Sequence, residues 1–194
     1  MSSLAEQRSR GDLPTNMSVD EFFDWLETHE DRYELDDGTP VMMPFVKRAH
    51  ARVVSNFDRL LHAALDPDDY MVTQGDFAVQ TGPRSIRFAD VLVEPASDDL
   101  DGRIANAILI VEVLSESTAK IDFGAKRLEY LGLDHLQAYV IAAQDEAHLW
   151  VWQRAGAGWP EAPQELTSGE VAIAALGVTL PLSELYRGVR RTEP

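Results

Sequence analysis

The chain has 194 residues, of which 45% are apolar and 26% charged, and it contains no cysteine. That is enough for one well-packed domain, and it excludes a disulfide framework, a thiolate zinc site and a cysteine nucleophile. The formal net charge of −16, from 33 acidic and 17 basic residues, argues against indiscriminate adhesion to nucleic acid but allows a local basic groove.

No apolar run is long enough to cross a bilayer. Residues 1–16 are polar and lack a signal-peptide core, so they read as a tail, and a cytoplasmic location follows by default. Ser18-Val-Asp-Glu21 is a capping-box pattern. Phe22, Trp25 and Leu26 then recur at helical spacing, which predicts a helix over 19–28. Asp36-Asp37-Gly38 between the runs 32–35 and 41–43 predicts a hairpin. Val53, Phe57, Leu60, Leu61 and Ala64 predict an amphipathic helix over 47–65, with Lys47, Arg48, Arg52 and Arg59 near its polar side. His50 at its start reads as an exposed residue.

Strand character follows at 70–79, 85–93 and 107–114, interrupted by Gly82-Pro83 and by the acidic stretch 98–101. The unbroken run Ile108-Leu-Ile-Val111 suits a central strand buried on both faces. Cap chemistry at Ser115–Thr118 predicts a helix from Ala119 or Asp122 to Leu131. Further strands are expected at 136–142 and 148–154, with a strand or turn at 178–182 and a short helix at 183–186. The whole reads as a single α/β domain over 17–188, a central mixed β-sheet flanked by helices, followed by a tail at 189–194.

Two strands place a carboxylate where an apolar residue is expected: Asp90 in Phe88-Ala-Asp-Val-Leu-Val93, and Glu112 in Leu109-Ile-Val-Glu-Val-Leu114. A charge at the end of a buried strand costs several kcal/mol unless compensated, commonly by a cation. Neighbouring strands lie about 5 Å apart, so Asp90 and Glu112 in adjacent strands could share one ion. Hard oxygen ligands suit Mg²⁺ or Mn²⁺. Lys126, on the following helix, could orient a water or stabilise charge on a phosphate. Glu34 faces away from Tyr33 and Leu35 on the hairpin.

Singly, each has an ordinary explanation. Asp90, Glu112 and Glu34 could face water, and Lys126 stands at ion-pair spacing from Asp122. Trp150, Trp152 and Trp159 read as packing residues.

Arg32-Tyr-Glu-Leu-Asp-Asp-Gly38, Phe88-Ala-Asp-Val91, Val111-Glu-Val-Leu-Ser115 with Ser117-Thr118, Asp122, Lys126 and Tyr130, and Leu176-Gly-Val-Thr-Leu-Pro-Leu182 occur in order. Together they resemble the Uma-two family of restriction endonucleases, a branch of the PD-(D/E)XK superfamily, over residues 17–188. The resemblance implies a restriction-endonuclease-like fold and Mg²⁺-dependent hydrolysis of DNA. It implies Asp90 and Glu112 as metal ligands, the backbone carbonyl of Val113 or its neighbour as a further ligand, and Glu34 as part of the acidic cluster. It departs from the superfamily pattern twice. Ala89 stands where proline is usual, and Leu114 stands where the lysine is usual, which makes Lys126 the substitute. Lys47, Arg48, Arg52, Arg84, Arg87, Lys120 and Arg127 are candidates to line a DNA groove, and a homodimer would suit duplex cleavage. The rival expectation is a binding or assembly domain that kept the fold without cleavage. A small-molecule hydrolase has no supporting motif.

Overall fold

The structure is a computed structural model that describes residues 13–114, 122–156 and 158–189. Most of the expected N-terminal tail, the cap at Ser115–Thr118, Ala119, Lys120 and most of the C-terminal tail lie outside the described residues. The chain forms two compact units: Met1–Pro44 with Gln80–Arg87, and Phe45–Val79 with Phe88–Pro194.

In the first unit, helix α1 (Val19–Leu26) starts at Ser18. The Ser18 Oγ accepts from Glu21 N while the Glu21 carboxylate accepts from Ser18 N, so the capping box forms as expected. Strands β1 (Tyr33–Asp36) and β2 (Thr39–Met42) pair antiparallel around Asp37 and Gly38, whose φ angles are 41° and 81°. A two-residue turn of this kind needs both central residues in the left-handed region, which is why Asp-Gly sits there. A Cβ on Gly38 would stand 2.9 Å from Asn16 Cα, so close backbone approach requires glycine as well. The sheet has the order β2-β1-β5-β4, where β4 is Ala78–Gly82 and β5 is Ser85–Phe88. Phe22, Leu35 and Ile86 are fully buried in this unit.

The second unit is built on a six-stranded mixed sheet, order β10-β9-β8-β7-β6-β3. Its members are β3 (Tyr70–Thr73), β6 (Val91–Pro95), β7 (Leu109–Leu114), β8 (Ala138–Ala143), β9 (Leu149–Gln153) and β10 (Gln164–Leu166). Within this sheet β7 and β8 run parallel, and the other neighbours run antiparallel. Both are buried along nearly their whole length, as the apolar run 108–111 requires.

Alternation sends Val91, Val93, Leu109, Val111 and Val113 to one face. There they pack with Val53, Phe57 and Leu61 of helix α2 (Arg48–Ala64) and with a hairpin of β11 (Glu170–Ile173) and β12 (Val178–Pro181). Leu92 and Ile110 take the other face, with Tyr130 of helix α3 (Arg127–Leu131), Tyr139 and Trp152. Each large side chain removed from water in these layers contributes about 1.5–3 kcal/mol. Helix α4 (Leu182–Leu185) closes the α2 side, where Asn56 Nδ2 donates to the carbonyls of Leu185 and Arg187.

The expected strands 70–79 and 85–93 are each two strands belonging to different sheets. The chain leaves the six-stranded sheet after Thr73, and Gly75, at φ 59°, donates its N–H to Ala89 O where the chain returns. Strands β10 and β11 fall in the Gly- and Pro-punctuated remainder, whose short segments carry little periodicity. Among the described residues no helix is long and apolar enough to cross a membrane.

Candidate functional site

Asp90 precedes the first residue of β6. The register Val91↔Val111 sets it beside Glu112 at the point where β6 stops covering β7. β7 continues to Leu114, paired there with β8, so on its β6 side the N–H of Val113 has passed the last backbone ladder partner. Asp90 supplies the missing acceptor: Val113 N donates to Asp90 Oδ2 at 2.7 Å. The same oxygen lies 3.1 Å from His50 Nε2. Asp90 thus stands just before β6, and Glu112 lies within β7, the strand that pairs with β6.

Glu112 is 4% exposed and enters the layer below the sheet. Its Oε1 accepts from Tyr130 Oη at 2.8 Å and lies 3.6 Å from Lys126 Nζ. Lys126 is 7% exposed. It ends a π-type turn, Asp122–Lys126, in which Gly124 leaves helical dihedrals (φ −100°, ψ −106°). The helix expected from Asp122 therefore begins only at Arg127. Lys126 and Tyr130, four residues apart, project from one side onto the same carboxylate oxygen.

Sequence reasoning missed two of these partners. His50 was expected to be exposed, yet it is buried at 5% exposure. The signal was present, because His50, Val53, Val54, Phe57 and Leu61 share the buried stripe of α2. A histidine in the apolar register of a helix is a candidate for a specific partner. Tyr130 carried no assigned role, although its spacing from Lys126 places both on one face.

The other candidates divide. Lys47, Arg48 and Arg52 are exposed at the start of α2, within three residues of His50. Arg87 was expected to face nucleic acid but is 4% exposed and ion-paired, with Nη2 2.8 Å from Asp36 Oδ1 and Nη1 3.5 Å from Glu34 Oε2. A guanidinium buried between carboxylates neutralises them and presents nothing to a phosphate backbone. Glu34 is accordingly buried in the first unit as the partner of Arg87. Arg84 is held by Asp37 and Asn16. Arg127 lies over the Trp152 ring, 5.6 Å from its centroid. Trp152 packs against Tyr139, and Trp159 donates to Leu131 O, so both serve packing as expected. Lys120 and the side chain of Asp122 lie outside the described residues.

Among the described residues, no group of three or more His, Asp or Glu side chains forms a ready-made cation site. What the site offers is two carboxylates of unequal character. Asp90 is partly open, with its side chain 21% exposed, and both of its named donors use Oδ2. Glu112 is buried against a cation and a phenol. Val113 contributes its N–H, and in an extended strand the carbonyl of a residue leaves on the same side as its N–H.

A family model described as "Uma2: Putative restriction endonuclease" matches residues 19–183. An uncharacterized protein of Synechocystis sp., slr1290, is 23% identical over 176 residues, spanning 89% of this chain and 93% of that protein. A crystal structure described as a putative nuclease belonging to DUF820, from Anabaena variabilis, superposes with a TM-score of 0.70 at 16% identity. It covers 88% of this chain and 97% of that one. The fold is that of the restriction-endonuclease-like proteins, and the chain belongs to the Uma2 family.

Proposed function

We propose that the chain is a divalent-metal-dependent endonuclease acting on DNA, with Asp90 and Glu112 as its metal-binding carboxylates and Lys126 as its catalytic lysine. The observation that carries this reading is the approach of Lys126 Nζ to Glu112 Oε1 at 3.6 Å. The chain has Leu114 where a lysine would follow the glutamate on the strand, and a side chain twelve residues further along delivers an ammonium group to the same carboxylate.

The donor set fits a hard divalent cation such as Mg²⁺ or Mn²⁺. It comprises the Asp90 oxygen that neither His50 nor Val113 uses, Glu112, and the carbonyl of Val113. Such an ion supplies Lewis acidity toward a phosphoryl oxygen and lowers the pKa of a water it holds. The chain's own residues do the rest. Lys126 remains a donor and can hold a water or stabilise charge developing on the scissile phosphate. His50 acts through Asp90 as a positioning residue, occupying Oδ2 so that Oδ1 is the oxygen left for a ligand. Lys47, Arg48 and Arg52 offer exposed positive charge near the Asp90 contact. The first turn of α2 carries no acidic residue, so its N–H groups add to a surface suited to backbone phosphates. Cutting both strands of a duplex would call for a two-fold homodimer.

The test is a Mn²⁺ titration followed by thermal unfolding, run beside a plasmid-cleavage assay. Wild type should gain stability as the metal rises, by about 2.7 kcal/mol at a hundredfold excess over Kd, and should nick the plasmid. Asp90→Ala and Glu112→Ala should lose both responses. If those variants bind and cleave like wild type, the reading fails. Metal binding without cleavage would favour the rival, a nuclease-fold binding domain.

A further inference from the structure

Strand β6 carries a second buried carboxylate. Glu94 lies four residues after Asp90, ~13 Å along an extended strand, and is 6% exposed. It stands opposite Met71 of β3 and accepts a hydrogen bond from Asn106 N at Oε2, 2.7 Å long. Among the described residues no group donates to its other oxygen. Burial holds this carboxyl above the ordinary carboxylate range, and the Asn106 N–H only partly offsets that.

Glu94 lines a cavity of about 400 Å³. That volume is within the range of small-molecule sites. The cavity is walled by Met71, Phe77, Leu100 and Ile104, with Asp99 as a second carboxylate and no Lys, Arg or His among its lining residues. One wall is pinned by backbone, through a bridge between Ala78 and Ile104 and the bond from Ala105 N to Ala78 O at 2.7 Å. Leu100, Ile104 and Met71 leave large apolar area exposed at the same place, at 92%, 42% and 38%.

We propose that this cavity binds a small organic cation, an ammonium head on an apolar body, with Glu94 receiving the head. The chemistry follows from the two halves of the lining. An apolar wall favours a ligand with carbon surface to bury. A buried carboxylate with an oxygen lacking a protein donor is stabilised most by a ligand that brings both positive charge and N–H donors. A neutral alcohol would bring one donor and no charge. A bare metal ion would leave the apolar walls unsatisfied. The site is separate from the Asp90 and Glu112 pair and does not depend on nuclease activity.

The full-length chain is titrated with n-hexylammonium chloride, with 1-hexanol as the neutral isostere, while methyl and amide NMR signals are followed. The expected result is saturable shifts at Met71, Leu100 and Ile104 methyls and at the Asn106 amide, with 1-hexanol weaker by about tenfold. Glu94→Gln preserves shape and an acceptor for Asn106 N, and it should weaken hexylammonium by a similar factor. Unchanged amide dispersion in that variant establishes that it is folded. Absence of saturable shifts at these residues overturns the proposal, as does equal affinity for 1-hexanol or an unchanged affinity in Glu94→Gln.

Discussion

Tyr130 donates its hydroxyl proton to Glu112 Oε1 at 2.8 Å, with both side chains buried. A carboxylate inside an apolar layer is tolerable only when its charge is answered. Here a phenol and an ammonium group answer it from one side, under the strand that carries it. Removing the hydroxyl alone by Tyr130→Phe keeps the ring against Tyr139 and deletes one donor. Hydrogen bonds to charged groups are worth about 1.5–3 kcal/mol, and the variant should lose stability of that order in urea unfolding. Stability equal to wild type would show that the bond contributes nothing.

Lys126 and Glu112 form the buried ion pair of the site. Lys126→Met leaves Glu112 with less compensation and should destabilise by about 3 kcal/mol. Glu112→Gln in the same chain should recover most of that loss, because the uncompensated charge is then gone. Additive losses in the double variant would show that the two side chains are not coupled.

His50 is expected to act on metal affinity more than on the metal-free fold. His50→Ala should weaken Mn²⁺ binding by roughly tenfold, as is usual when the group orienting a ligand is lost. His50→Gln keeps an N–H near the position of Nε2 and should restore part of the affinity. The readout is Mn²⁺ binding followed by electron paramagnetic resonance, with urea unfolding in chelator as the control. Affinities that match wild type in both variants would remove His50 from the site.

Glu94 gives the fold a pH dependence of definite sign. Burial raises its folded pKa above that of an ordinary glutamate, so the native state binds more protons than the unfolded chain between the two values. Its contribution is fully present below the unfolded pKa and is lost as pH rises through the folded one. Asp99 is the other charged residue lining that cavity. Glu94→Gln should therefore gain stability relative to wild type at neutral pH, with the gain shrinking toward pH 4. Thermal unfolding across that range checks it, and a gain that grows as pH falls would contradict the assignment.

Gly38 sits at φ 81° with backbone of Asn16 and Met17 against its α-carbon. Gly38→Ala meets both a left-handed dihedral and a backbone clash, so a loss of roughly 1–3 kcal/mol is expected in urea unfolding. A silent substitution would mean that the turn relaxes freely.

Helices α1 and α2 and the hairpin turn were legible because their signals are local. A capping box, a 3.6-residue stripe and an Asp-Gly turn act within a few residues of chain. The carboxylates at 90 and 112 were legible for a different reason: a charge interrupting an apolar run is improbable without a partner. The strands 70–79 and 85–93 were legible as extended chain, but their division between two sheets was not. A switch of sheet is made by hydrogen bonds between residues far apart, such as Gly75 to Ala89.

Local patterning carried the α/β class and the two carboxylates, Asp90 and Glu112, set among apolar residues. Which groups answer those charges is set by packing between distant segments. His50 reaches Asp90 from forty residues away, Tyr130 joins Lys126 on Glu112, and Arg87 turns inward to Glu34 and Asp36. Burial sets the cost of an unanswered charge, and burial is a property of the packed layers.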